Sequence, residues 1–309
     1  MADKTVTVRP SGGDYTSLQA AITGEVTANP NLTAAGMNGI LTISIEGTWS
    51  SADSNAAIVY VRGFTADSSH YVQILNNGAT NYVFEASGRY VGALAIENLH
   101  TRIRGLHIRN TNALGSYGIY CSYRYLHLDS ITINGYAGDW GIHISQGWVV
   151  NCKVSNIVGG GIRVSGATYN DQSYVYNNTV GGCGGAGIRI VNAPTYIRNN
   201  YSGGNTGNDY EISGATVTWQ TNYSEDDTGT TDVAAYSTDT FTNVTAGSED
   251  FSLVSGSDLI DAGTDLSADA TYPFDWDITG AERVTWDVGA AYFESVATGI
   301  VCTGIPSAE

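Results

Sequence analysis

The sequence predicts an all-β chain wound as a parallel β-helix solenoid, with a short N-terminal capping helix and an irregular C-terminal β cap. Two recurring markers and the residue types between them carry that expectation. Four phrases repeat, Gly118-Ile119-Tyr120-Cys121, Gly141-Ile142-His143-Ile144, Gly161-Ile162-Arg163-Val164 and Gly187-Ile188-Arg189-Ile190, and Tyr210-Glu211-Ile212-Ser213 follows as a degenerate fifth. A second marker runs beside them, Asn134, Asn156, Asn178 and Asn200, at a constant interval of 22. A period of this size marks a solenoid or an array. The units are glycine-rich and β-branched, alternate over two residues, and carry neither a helical stripe nor a leucine-rich or blade marker. Stacked rungs of short parallel strands, roughly 4.8 Å apart, are what remain.

The four asparagines are expected to form a structural ladder at a tight turn. Asn tolerates the left-handed backbone region at low cost, and stacked amides can hydrogen-bond one another.

Along the chain, residues 1–38 read as the N-terminal cap. An alternating strand at Thr5-Val6-Thr7-Val8 precedes Gly13-Asp14-Tyr15-Thr16-Ser17-Leu18-Gln19-Ala20-Ala21-Ile22. There Thr16 or Ser17 can cap a short helix whose Leu18, Ala21 and Ile22 share a face. This phrase resembles the entry segment of pectin esterases and other right-handed β-helix proteins of the pectin-lyase-like superfamily. The resemblance implies a right-handed coil whose open end is plugged by that helix, which protects an otherwise unpaired edge. Residues 39–224 read as the coil. Residues 225–294 read as an acidic loop and C-terminal cap, and residues 295–309 as a tail.

The closing block carries Leu259-Ile260-Asp261-Ala262-Gly263, Asp277-Ile278-Thr279-Gly280-Ala281-Glu282-Arg283 and Asp287-Val288-Gly289-Ala290. These are similar to the closing phrases of bacterial and phage β-helix repeat proteins. That likeness concerns architecture rather than chemistry.

Composition narrows the partners. Net charge is −17, and the 16 acids between Asn199 and Glu282 meet no Lys or Arg there. A nucleic-acid partner is therefore not expected, since phosphate binding needs a basic face. No apolar run reaches the roughly 18 residues of a membrane span. The start, Met1-Ala2-Asp3-Lys4-Thr5-Val6, lacks the basic and apolar regions of a classical signal peptide. The expected location is a virion or the cell exterior. Cys121, Cys152, Cys183 and Cys302 show no metal-ligand spacing and read as buried thiols.

For chemistry, alternation places Tyr120, His143, Arg163, Arg189 and Glu211 outward while Ile119, Ile142, Ile162 and Ile188 point inward. This column reads either as a groove that grips a glycan or partner, or as a solvated face with charge pairing between rungs. Phrases typical of pectin esterases and polygalacturonases are missing, and catalytic residues are not identified. Asp139, Asp171 and His143 are the weak candidates, with an acid pair drawn from separate rungs as the mechanism to test. No metal site and no cofactor are expected. Ca²⁺ is the one ion that the C-terminal acids Asp258, Asp261, Asp265, Asp269, Asp275, Asp277 and Asp287 could hold, against turn and cap roles for the same residues.

The functional expectation is a non-enzymatic structural or surface-recognition protein, a phage capsid decoration or tail-associated component, forming a homotrimer by resemblance and contacting capsid or other virion proteins. A polysaccharide lyase or glycoside hydrolase acting on a surface polysaccharide, or a glycan-binding module without turnover, stands as the alternative.

Overall fold

A computed structural model describes residues 3–55, 57–86, 92–110, 117–136, 138–166, 171–228 and 232–293. The chain is a parallel β-helix: it visits three sheets in turn, and each strand pairs in parallel with the strand one rung away. Among the described residues sheet 1 has nine strands in chain order: Lys4–Val8, Leu41–Ile45, Val72–Asn76, Thr101–Arg104, Leu126–Asp129, Gly147–Val150, Ser173–Tyr176, Thr195–Arg198 and Val217–Gln220. Sheet 2 also has nine, running from Asp53–Asn55 to Asp232–Val233, and sheet 3 has seven, from Val59–Val61 to Tyr210–Ser213.

Each sheet sends one row of apolar side chains inward. Val6, Ile43, Ile74, Ile103, Leu128, Val149, Val175 and Ile197 share one register on sheet 1. Val59, Leu94, Ile119, Ile142, Ile162 and Ile188 do so on sheet 3, and all of these side chains are buried. Like residues stacked a rung apart bury continuous apolar area, which is what stabilises a solenoid.

The glycine before each of these isoleucines has its own cause. A Cβ on Gly141 would lie 2.5 Å from Val154 Cγ1, one on Gly161 would run into Val180 Cγ1, and one on Gly187 into Ser202 Oγ. On these rungs side chains of sheet 2 stand so close to the start of the sheet 3 strand that a Cβ there has no room. The repeated phrase is thus a packing device, and it marks sheet 3 alone.

Helix α1 (Leu18–Ala28) follows the first strand and covers the N-terminal end. Ser17 caps it, its hydroxyl accepting from Ala20 N, and Leu18, Ala21 and Ile22 are buried. Glu25, also buried, takes Lys4 Nζ at 2.7 Å and the Tyr15 hydroxyl at 2.9 Å. Among the described residues, no helix is long and apolar enough to cross a membrane.

The corner between sheets 1 and 2 corrects the expected ladder. Two adjacent columns divide the work there. Gly105, Ser130, Asn151, Asn177, Asn199 and Thr221 have φ between 51° and 73° and make the left-handed turn. The next residue points inward, and Asn178, Asn200 and Asn222 form the amide ladder. Asn178 Nδ2 donates to Asn200 Oδ1 at 2.9 Å, and Asn200 Nδ2 to Asn222 Oδ1 at 2.9 Å. Asn134 and Asn156 do not belong to it. Asn134 lies within a sheet 2 strand and donates to Glu249, while Asn156 takes the left-handed position at the far end of the next strand, φ 54°.

The register explains the slip. Thr132, Lys153, Thr179, Tyr201 and Tyr223 stand in one column on successive sheet 2 rungs, at offsets of 21, then 26, then 22 twice. A constant spacing of 22 keeps step only in the last two. Cys152 holds the ladder position one rung before Asn178, and its N–H donates to Asn178 Oδ1.

After Ser224 the chain adds one more sheet 2 strand, Asp232–Val233, and then an antiparallel pair, Phe241–Asn243 with Asp250–Leu253. Residues 254–293 run back along the left-handed corner as a strap with little regular structure. The closing phrases tie it down. Arg283, 4% exposed, donates to the carbonyls of Trp276, Gly289 and Ala290. Asp277 accepts from the backbone of Thr279 and Ala281, and Asp287 from Asp261. The corner asparagines hold it from the other side: Asn151 Nδ2 donates to Trp276 O, and Asn199 Nδ2 to Thr264 O. The expected tail, residues 295–309, lies outside the described residues, as does Cys302; Cys121, Cys152 and Cys183 are buried and unbridged.

Candidate functional site

The outward side chains of sheet 3 stand in the order expected of an alternating strand. Tyr120, His143, Arg163, Arg189 and Glu211 occupy one register on five successive rungs. Within that row Arg189 and Glu211 pair at 3.2 Å and neutralise each other. His143 Nε2 sits 2.7 Å from Ser165 Oγ, edge-on to the rings of Tyr117 and Tyr120. Burial first, and then the Arg163 charge, pull its pKa down to about 4, so the ring is neutral at physiological pH.

Asp139 and Asp171 are not brought together. Both are exposed; Asp139 lies just before the sheet 3 strand Trp140–Ile144, and Asp171 just before the sheet 1 strand Ser173–Tyr176, where it pairs with Arg124 at 3.2 Å. They occupy different corners of the coil. The C-terminal acids serve turns and caps: Asp265 accepts from Ser267 N, Asp269 from Thr271 N and Tyr272 N, in addition to the bonds of Asp277 and Asp287. Among the described residues, no group of three or more His, Cys, Asp or Glu is placed to hold a metal ion.

Two adjoining clefts open on the outer face of sheet 1. The larger, about 690 Å³, has Gln73, Asn76, Asn77, Arg102, Arg104, His127 and Asp129 as its floor, with Tyr272, Trp276 and Thr279 of the strap as its wall. The smaller, about 380 Å³, is lined by Ser68, Tyr71, His100, Arg102, Tyr125, His127 and Trp148. Arg102 and His127 border both. Volumes of this size suit small ligands or short oligomers.

The floor follows from strand geometry. Arg102 and Arg104 alternate with the buried Ile103, and His127 and Asp129 with the buried Leu128, so all four point outward on neighbouring rungs. His127 begins a stack that runs down the coil. Its ring lies 3.9 Å from Trp148, followed by Trp148–Tyr174 at 5.3 Å and Tyr174–Tyr196 at 5.6 Å, with interplanar angles of 18°, 12° and 1°. These rings spend their faces on one another and turn their edges outward.

Asp129 is the pin between coil and strap. Its Oδ1 accepts from Ser130 and Asn151, and its Oδ2 accepts from Trp276 Nε1 at 3.0 Å and pairs with Arg104 Nε at 3.3 Å. Burial raises its pKa, and the Arg104 charge only partly offsets this. With every lone-pair direction engaged, Asp129 is placed to hold the wall rather than to move a proton. Arg104 also lies over the Trp276 ring, 4.8 Å from its centroid.

His127 differs. Burial, with Arg102 and His100 adding to it, drives its pKa down to about 3, and among the described residues its ring nitrogens have no hydrogen-bond partner. It presents one donor and one acceptor to a ligand and stays uncharged while doing so.

This cleft escapes a reading anchored on the Gly-Ile phrase, because that phrase marks sheet 3. The local signal for it is the pair of two-residue alternations Arg102-Ile103-Arg104 and His127-Leu128-Asp129, which lie one rung apart. The wall comes from much further along, Trp276 standing 147 positions beyond Asp129, and nothing local announces it. No family model matches the chain, and no curated protein matches it.

Proposed function

We propose that the protein is a non-enzymatic surface-recognition β-helix protein that holds a saccharide in the sheet 1 clefts. The observation that carries this reading is the geometry of the clefts: two adjoining lobes sharing Arg102 and His127, rimmed by tyrosine and tryptophan edges and by amides. Saccharides present hydroxyls to such amide, imidazole and guanidinium groups. The engaged state of Asp129 and the separation of Asp139 from Asp171 support binding without turnover, since neither supplies the paired carboxylates of a glycosidase.

The setting we propose is a phage particle or cell surface, on the strength of the closing phrases that bacterial and phage β-helix proteins share. Kinship with the pectin-lyase-like superfamily rests on the entry phrase and the coil. A homotrimer in contact with capsid proteins belongs to the same proposal, and sedimentation of the purified chain as a monomer counts against it.

The test is a glycan array followed by calorimetry. Wild type should bind a defined saccharide and leave it intact, and Tyr272→Ala, which removes a wall, should weaken binding by about 10-fold. Absence of binding to any neutral or acidic glycan overturns the reading. The second reading, a polysaccharide lyase, has one observation in its favour: Arg102, His127 and Tyr272, a cation, an imidazole and a phenol, line one cleft. Appearance of unsaturated products from an acidic glycan, abolished by His127→Gln, would establish it in place of the first.

A further inference from the structure

We infer that Arg102 is an anion seat at the junction of the two lobes, and that the saccharide taken there carries a carboxylate. The inference rests on the clefts being a saccharide site and adds to it the chemical class of the ligand.

Position comes first. Arg102 is one of two side chains bordering both lobes, so a group bound to it lies midway along any ligand that fills them. Availability comes next. Arg9, Arg62, Arg104, Arg109, Arg124, Arg189 and Arg198 each pair with a carboxylate. Among the described residues Arg102 makes no ion pair, although it is exposed and the chain carries 30 acids against 13 bases. Its neighbour on the same strand, Arg104, has Asp129, so the floor keeps a single uncompensated cation. Arg163 also lacks a carboxylate, but it borders neither cleft and its Nε is buried without a partner.

Orientation is the third point. The Arg102 Cζ lies 3.9 Å from the centroid of the Tyr71 ring. A guanidinium held over an aromatic ring keeps its charge while its N–H fork stays free for a planar, two-oxygen partner, which a carboxylate matches best. The adjacent imidazole of His127, uncharged, can then accept from or donate to a hydroxyl of the same sugar without repelling the cation. In a strongly acidic protein this spot also draws an anionic polymer to one place on the surface.

Calorimetry with matched oligosaccharides tests the seat: an oligouronate, the same oligomer with its carboxyls reduced to alcohols, and a sulfated neutral oligomer. Wild type should bind the oligouronate about 30-fold more tightly than the reduced form, the range of a charge-assisted hydrogen-bonded contact. Arg102→Gln should bring the two to equal affinity, Arg102→Lys should keep a smaller preference, and Arg109→Gln on sheet 2, which borders neither cleft, should change nothing. Melting temperatures check that each variant folds, and Arg102→Lys decides the matter where Arg102→Gln does not.

Equal wild-type affinity for the acid and its reduced form overturns the seat while the saccharide cleft stands. Preference for the sulfated oligomer overturns the carboxylate assignment. Failure to bind all three, with no binding on a wider array, removes the cleft reading and the seat with it.

Discussion

His127, on the floor of the proposed site, also bears on stability. Its ordinary pKa of 6.5 falls to about 3 in the folded chain, chiefly through burial against Trp148 and then through Arg102 and His100. Between those values the unfolded chain binds a proton that the folded chain refuses, so stability drops as pH falls through 6.5 towards 3. His143, at about 4, adds in the same direction, and Asp209, pushed up to about 6 by burial, opposes both. A single pH titration of stability therefore mixes signs, and a variant separates them. Wild type should lose more urea resistance between pH 7 and pH 4.5 than His127→Gln does, and the His127 ring should show no NMR titration between pH 5 and 8. A titration midpoint near 6.5 in the folded protein would contradict the burial on which this rests.

At the scale of the element, the corner between sheets 1 and 2 carries most of the specificity of the coil. The left-handed column bends the chain, and the inward amides of Asn178, Asn200 and Asn222 satisfy backbone groups that no strand reaches. Asn200 Nδ2 donates to Val175 O, while its Oδ1 accepts from Asn178 N. Asn200→Ala leaves both orphaned in a fully buried place and should cost about 2–4 kcal/mol in chemical denaturation. Asn134→Ala, which removes only a partly buried bond to Glu249, should cost less than about 1 kcal/mol. Equal losses would place the two in one ladder after all. These residues look alike in sequence because both recur at 22, but the rung offsets of 21 and 26 between Thr132 and Thr179 carry Asn134 and Asn156 out of step. Turn length is set by where three sheets must meet, which a constant count does not capture.

For the molecule as a whole, the coil and the strap have different sources of stability. Rungs gain from nearest neighbours and lend themselves to a one-dimensional description. The strap has little apolar alternation; Leu266, Phe274 and Trp286 pack against Val150, Tyr174 and Tyr176, and buried polar anchors, Arg283 among them, fix it in place. Burial lowers the Arg283 pKa to about 10 without neutralising it near pH 7, so a cation with Asp277 and Asp287 nearby sits beneath the strap. Arg283→Ala takes one donor from each of the carbonyls of Trp276, Gly289 and Ala290, leaving them Asn151, Asn177 and the Ile278 N–H respectively, and empties the buried space between them. The strap should then become the first site of limited proteolysis, within residues 254–293, while far-UV circular dichroism retains the β signal of the coil. If the clefts hold a saccharide as proposed, its affinity should fall as well, because Tyr272 and Trp276 leave the cleft although Arg283 lines neither lobe. Resistance to protease equal to wild type would show that the anchors are redundant.

Taken by itself, the chain determined the coil, its capping helix and the outward row from Tyr120 to Glu211. Each of these depends on alternation over two residues and on neighbours a few positions away. The strap and the cleft it walls were decided only in three dimensions. Asp129 meets Trp276 through one hydrogen bond and Asn199 meets Thr264 through two, between distant segments that leave no period to read. Apolar burial repeats along a strand and so writes itself into the sequence, whereas a lone polar contact across the chain is specified by shape and appears once.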